Sequence, residues 1–236
     1  MATITDLDDL ATAFEVERGE LISLVGGGGK TTTLFTLGAQ LQGTTILTTT
    51  TKMGAEQLGD YPVLVDPSDE VLRDELAKAQ RALVWKAADD RRAIGVSAET
   101  CDRWIDIADN LVTEADGSRK RPFKAPAAHE PVVPSRTTLL IACIGSSAFG
   151  QPIADGCHRP DLVAGLADCT VDDVLTPARA AAVLLHPNGS QKDLPSASRF
   201  VVALHRVTDA MNPLIDELDD LLGDVPLVAV REAIGV

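Results

Sequence analysis

A chain of 236 residues, 45% hydrophobic and 24% charged, has the profile of a globular protein with a substantial core, enough for one large domain or two small ones. Its net charge of −14 and pI of about 4.6 oppose duplex nucleic acid and anionic membranes, and 3% aromatics supply no stacking platform for single strands. Four cysteines without C-x-x-C spacing exclude a zinc ribbon and a disulfide framework, and no segment approaches the roughly 20 apolar residues of a membrane span. With no basic leader in MATITDLDDL, the expected location is cytoplasmic, with neither nucleic acid nor membrane as partner.

In chain order, Thr5 is placed to cap a short helix whose apolar face is Leu7, Leu10, Ala11 and Phe14. Leu21 to Val25 reads as a buried strand, four glycines follow, and Leu34, Leu37 and Leu41 then recur at helical spacing until Gly43. Thr45 to Thr49 and Val63 to Val65 read as strands, and Ser68 caps a helix carrying Val71, Leu72, Leu76 and Ala79. Ala82 to Trp85 and Ala93 to Val96 suggest a hairpin around Asp89 and Asp90, and Ala98 to Ile107 a helix. Leu111 to Thr113 is apolar and ends in Glu114-Ala115-Asp116-Gly117. Ser118 to Ser135, rich in proline and basic at its start, reads as an ordered surface loop. Strands at Leu139 to Ile144, Phe200 to Leu204 and Leu227 to Val230 alternate with helices opened by Thr176-Pro177 and Asn212-Pro213, the last strand closing the sheet. The alternation predicts a single α/β domain over residues 1–236, a mostly parallel sheet with helices on both faces.

The run LISLVGGGGKTTT asks for a phosphate. Strand, glycines, Lys-Thr and helix form the context of a P-loop, in which main-chain N–H groups of Gly26, Gly27, Gly28 and Gly29 curl around an anion. The helix start adds its N–H groups and dipole. Lys30 would reach the β- and γ-phosphates, Thr31 would hold Mg²⁺, and Thr32 the α-phosphate. The match to G-x-x-x-x-G-K-[ST] is incomplete, because Leu24 stands where the first glycine belongs. The alternative is a glycine turn that only lets strand and helix pack closely. A P-loop requires a second acidic element: Asp116 fits as the Mg²⁺ aspartate, with Glu114 to orient an attacking water. Lys52, after four threonines at a strand end, is read equally as a phosphate contact or as an ordinary strand terminus.

GGGGKTTT, TTTTKM, EADGSRKRPFKAPAAHEP and Cys157-His158-Arg159-Pro160, in this order, resemble the YqeC family from about Leu21 past Arg206. That family is described as accessory proteins of selenium-dependent molybdenum hydroxylases, or selenium cofactor biosynthesis proteins, and is placed among P-loop nucleotide-binding proteins. By resemblance, Lys30 and Thr31 are phosphate-loop positions. Glu114, Asp116, Arg119, Lys124, His129 and Glu130 match the central block, and His158 and Arg159 a later pair. Where related sequences carry an Asn-Lys-x-Asp-like run that reads guanine, this chain has His205-Arg206-Val207-Thr208, so the resemblance leaves ATP and GTP both open.

Arg119, Lys120, Arg121 and Lys124 crowd one stretch of an anionic chain, and such crowding suits a clamp for phosphate or for a molybdopterin-type cofactor. Paired with the acidic surface, the same loop would be merely solvated. His129 beside Glu130 suggests an acid–base or metal-ligand pair, although neighbours in an extended segment point apart. Two functions are therefore expected. One is a Mg²⁺-dependent NTPase or phosphotransferase in maturation of a molybdenum hydroxylase. The other is a nucleotide-gated chaperone or carrier for selenium or the molybdenum cofactor.

Overall fold

The structure is a computed structural model and describes residues 1–231. In chain order the strands are β1 (Thr3–Asp6), β2 (Leu21–Gly26), β3 (Thr45–Thr49), β4 (Lys52–Gly54), β5 (Val63–Val65), β6 (Arg81–Trp85), β7 (Ala87–Ala88), β8 (Arg92–Ile94), β9 (Asn110–Glu114), β10 (Phe123–Lys124), β11 (Leu139–Gly145), β12 (Cys157–His158), β13 (Arg199–His205) and β14 (Leu227–Arg231). The helices are α1 (Leu10–Ala13), α2 (Lys30–Gln40), α3 (Asp69–Ala79), α4 (Ala98–Trp104), α5 (Ile153–Gly156), α6 (Pro160–Leu166), α7 (Pro177–Leu185) and α8 (Asn212–Leu222).

Nine strands form one parallel sheet in the order β1-β14-β13-β11-β2-β9-β3-β6-β5. Its central strands are buried along their whole length, as continuous apolar runs must be when both faces are covered. The two-residue side-chain period divides β11 between the faces. Leu140, Ala142 and Ile144 join Ala180, Val183 and Leu184 of α7 and Ile215, Leu218 and Leu222 of α8. Leu139, Ile141 and Cys143 join Leu34 and Leu37 of α2 and Leu10 of α1 on the opposite face. Under the β3–β6 end, Leu72 and Leu76 of α3 and Cys101 and Trp104 of α4 cover Ile46, Ala82, Val84 and Leu111. Among the described residues, no helix is long and apolar enough to cross a membrane.

The α/β architecture and its helix starts follow the sequence. Ser68 and Thr176 each accept an N–H three residues on, from Val71 and Arg179, and thereby cap α3 and α7. Four details differ. Thr5 does not cap a helix: Thr3–Asp6 pairs residue by residue with Val228–Arg231, so Leu227–Val230 is flanked by an outer strand and does not close the sheet. Backbone pairing along a whole strand outweighs one cap. The helix from Ala98 stops at Trp104, whose indole N–H donates to Asp69 at 3.1 Å, leaving a short descent into β9. The Asp89–Asp90 turn does join two strands, but these are β7 and β8, and with β4 they form a separate antiparallel sheet. Finally, the proline-rich loop contains β10, which pairs with β12.

Burial pushes the thiols of Cys101, Cys143 and Cys157 up to about 12, whereas Cys169 is half-buried. A chromogenic disulfide reagent is therefore expected to titrate Cys169 alone in the native protein and all four thiols after denaturation. Rapid native labelling of a second thiol would contradict the packing.

Candidate functional site

The sheet reverses its order of winding at β2. The chain passes from β2 to β3 on one side, returns through β9, and then crosses to β11 on the other. Open parallel sheets bind ligands outside the carboxyl ends of the strands at such a point. The carboxyl ends of β2, β9 and β11 carry, respectively, the glycine run, Glu114 to Asp116, and Gly145.

Gly26, Gly28 and Gly29 adopt φ of +94°, +83° and +101°, values that L-residues with a side chain avoid. Two N–H groups of the corner are tied down: Gly26 donates to Asp116 Oδ2 at 2.9 Å, and Gly27 to the Cys143 carbonyl at 2.9 Å. Among the described residues, the next five N–H groups, from Gly28 through Thr32, donate to nothing; the first bond of α2 is Thr33 N–H to Gly29 O at 2.8 Å. A run of unpartnered donors at the positive end of a helix attracts an anion. The other side of the corner is packed. A Cβ on Gly27 would stand 2.5 Å from the Arg121 carbonyl, one on Gly28 2.7 Å from Gly145 N, and one on Gly29 would collide with the His205 ring. The glycines thus combine close packing on one side with donors that, among the described residues, have no partner on the other.

Beside the corner lies a buried network of charge. Lys30 donates to the Gly26 carbonyl and lies 3.2 Å from Asp116 Oδ1. Lys124 is 3.1 Å from Asp116 Oδ2, 2.6 Å from Glu130 Oε1 and 2.8 Å from the Gly117 carbonyl. Arg159 donates to the same Glu130 Oε1. Thr31 Oγ1 donates to Glu114 Oε1 at 2.6 Å. Burial alone would lower the Lys30 pKa, but Asp116 and Glu114 together hold it above its usual value. Lys124 is pushed down to about 8, because burial outweighs its attraction to Asp116. Burial raises the Glu114 carboxyl against the pull of Lys30. Asp116 Oδ1, buried and within ion-pair distance of Lys30, accepts no hydrogen bond among the described residues. A narrow cavity of about 10 Å³, lined by Gly26, Asp116, Lys124 and Ser190, adjoins it.

The model of the family described as YqeC protein matches residues 22–161, more than half of the chain. The protein YqeC of Escherichia coli (strain K12) is 31% identical over 206 residues, which span 84% of this chain and 80% of that protein. The chain belongs to the YqeC family. No solved structure matches it.

The YqeC match takes in the glycine corner, Glu114 to Glu130 and His158-Arg159, and folding brings most of these together. Lys30, Thr31, Glu114, Asp116, Lys124, Glu130 and Arg159 form the network described above. His158 lies opposite Lys124 in the β10–β12 pair, and burial followed by the charges of Lys124 and Arg119 lowers its pKa. Arg119 is exposed, in a left-handed turn with φ of 51°, and Thr32 is half-buried, its side chain making no hydrogen bond among the described residues. His129 points to solvent while Glu130 is buried, so the two are not a pair. Lys52 is exposed on β4 opposite Ile94, and among the described residues no hydrogen bond or ion pair links it to Asp116.

Two contributors lie beyond residues 22–161, the stretch that the family model matches. His205, fully buried at the end of β13, sets Nε2 3.0 Å from Thr33 Oγ1 in the first turn of α2. Lys192 donates to the carbonyls of Ala127, Ala128 and Glu130 at 3.0, 2.9 and 2.6 Å. Neither has a local sequence signal, since each acts on a segment far away along the chain.

Replacing Lys124 by Met removes the shared cation from two buried carboxylates, and breaking such an arrangement costs about 3 to 5 kcal/mol. Urea denaturation of Lys124→Met should show a loss of that size, and a change below about 1 kcal/mol would mean the pairs add little. Gly27→Ala forces Arg121 to Phe123 off the corner. Since Gly145 N–H donates to the Pro122 carbonyl at 2.8 Å, hydrogen exchange at Gly145 should accelerate in that variant while the α8 amides stay protected.

Proposed function

We propose that this YqeC-family chain is a Mg²⁺-dependent nucleotide-binding protein, an NTPase or phosphotransferase. It acts in maturation of a selenium-dependent molybdenum hydroxylase or of its cofactor. The observation that carries the nucleotide reading is the run of unpartnered N–H groups from Gly28 to Thr32 beside the buried Lys30 ammonium. Such donors suit phosphate oxygens, and a fixed cation beside them stabilises charge on a transferred phosphoryl group. The donor set also suits Mg²⁺. Thr31 Oγ1, Glu114 and Asp116 Oδ1, which faces Lys30 but accepts no hydrogen bond among the described residues, are hard oxygens, the type this ion prefers. Thr31 and Asp116 would hold the ion, which supplies neutralisation of phosphate charge when bound. Glu114, its carboxyl raised by burial, orients water and takes up a proton. The nucleotide is ATP or GTP. His205, at the position of the guanine-reading run, is committed to Thr33 and Gly29.

A specific observation favours the second reading, a nucleotide-gated chaperone or carrier with little turnover. Arg121 to Phe123 press on the glycine corner, and the cavity beside Asp116 holds about one water, far too little for a triphosphate. Ligand binding here is coupled to displacement of the 118–131 segment, an order–disorder device of the kind that switches partner binding. The partners in this reading are the molybdenum hydroxylase or a molybdopterin-type cofactor.

Calorimetry with ATP and GTP, with and without Mg²⁺, alongside phosphate release, separates these readings. Lys30→Ala is expected to weaken nucleotide binding by at least about tenfold and to abolish any turnover. Tight binding with negligible turnover selects the carrier. Wild-type protein that binds neither nucleotide rules out both.

A further inference from the structure

Glu130 is the single acidic residue between Ser118 and Ser135, and it is buried where that segment meets α6. One of its oxygens, Oε1, accepts from both Lys124 and Arg159. Two cations that converge on one carboxylate oxygen are also placed to grip an anion of higher charge through charge-assisted hydrogen bonds. The scaffold holds these cations in place independently of Glu130. Lys124 sits in β10, paired with Cys157–His158 of β12. Arg159 follows in a left-handed conformation, φ 59° and ψ 63°, with Pro160 opening α6 behind it. Glu130, by contrast, comes from a turn, and that turn is gathered from outside by Lys192, whose ammonium takes the carbonyls of Ala127, Ala128 and Glu130.

We propose that Lys124 and Arg159 form a second anion subsite, for the phosphate dianion of an acceptor or cargo molecule, and that Glu130 is a built-in competitor which Lys192 holds in that subsite. A dianion brings one negative charge more than the Glu130 carboxylate to the same two cations, one of which already faces Asp116, and a displaced Glu130 regains its hydration at the surface. The subsite is separate from the glycine corner, since Asp116 stands between Lys30 and Lys124, at 3.2 and 3.1 Å. The proposal rests on the nucleotide reading only in making this molecule the second ligand of that site.

Inorganic phosphate is the probe, titrated by calorimetry into wild type, Glu130→Gln, Lys192→Met, Glu130→Gln/Arg159→Met and Glu130→Gln/Lys30→Met, with circular dichroism to confirm folding. Glu130→Gln should bind phosphate about tenfold or more tighter than wild type. Adding Arg159→Met should cancel the gain, and adding Lys30→Met should leave it. Lys192→Met touches neither cation and should tighten phosphate binding by loosening the turn, so it decides the matter if Glu130→Gln does not fold. Folded Glu130→Gln with no gain overturns the proposal. So does a gain that survives Arg159→Met, or one that vanishes with Lys30→Met, which would place the phosphate in the glycine corner. ATP and GTP titrated into the same samples keep the two ideas apart. A phosphate gain without nucleotide binding defeats the nucleotide reading alone, and nucleotide binding without the gain defeats the second subsite alone.

Discussion

The Asp116 carboxylate is the tie on which the arrangement at the sheet's carboxyl edge depends. One oxygen accepts the Gly26 N–H and faces Lys124, while the other faces Lys30. The group therefore extends the β2–β9 ladder by a side-chain tie and joins it to the start of α2 and to β10. A buried carboxylate is tolerated only when it is paired and hydrogen-bonded. Two ammonium groups and one amide meet that condition, and in doing so they place both lysines on opposite sides of one anion.

The glycine corner shows how one loop meets two demands. Where Cβ atoms would project, the backbone of Arg121 to Phe123, Gly145 and the His205 ring approach closely. Among the described residues, the N–H groups from Gly28 to Thr32 remain without partners. Closeness on one side fixes the loop's shape, and openness of its donors gives that shape a use. The basic segment that follows Asp116 belongs to the same construction: it covers the corner and supplies Lys124, while Lys192 and β12 anchor it from the far half of the sheet.

Much of this was legible in the sequence for a physical reason. Central strands of a parallel sheet are uninterrupted apolar runs, and helices announce themselves through caps such as Ser68 and Thr176. The glycine run and Asp116 stood out because glycine and charge are costly at strand ends, Lys124 through the basic crowding of its stretch, Glu130 through its place beside His129, and His158 and Arg159 through the family resemblance. What was hidden was non-local. Thr3–Asp6 became a strand only because Val228–Arg231 offered an edge. His205 resembled a failed base-reading motif until packing set it beneath Gly29. Lys192 had no motif, and Lys52 looked significant only through its neighbours. The opposite orientations of His129 and Glu130 follow from the turn closed by the Glu130 N–H on the Ala127 carbonyl, which leaves His129 exposed at its tip and Glu130 buried.

The fit of the His205 imidazole against Gly29 bears on how the family can vary. Any side chain at position 29 would have to occupy the space that the ring now fills, and a smaller residue at position 205 would leave a void beneath the helix start and leave the Thr33 hydroxyl with only the Cys143 thiol beside it. These two sites, remote in the gene, are mutually restricting. A smaller residue at position 205 would clear space but would not relieve the φ of +101° at position 29, so glycine is required there on two counts and the tip of β13 acts as a gauge for the bend that precedes α2.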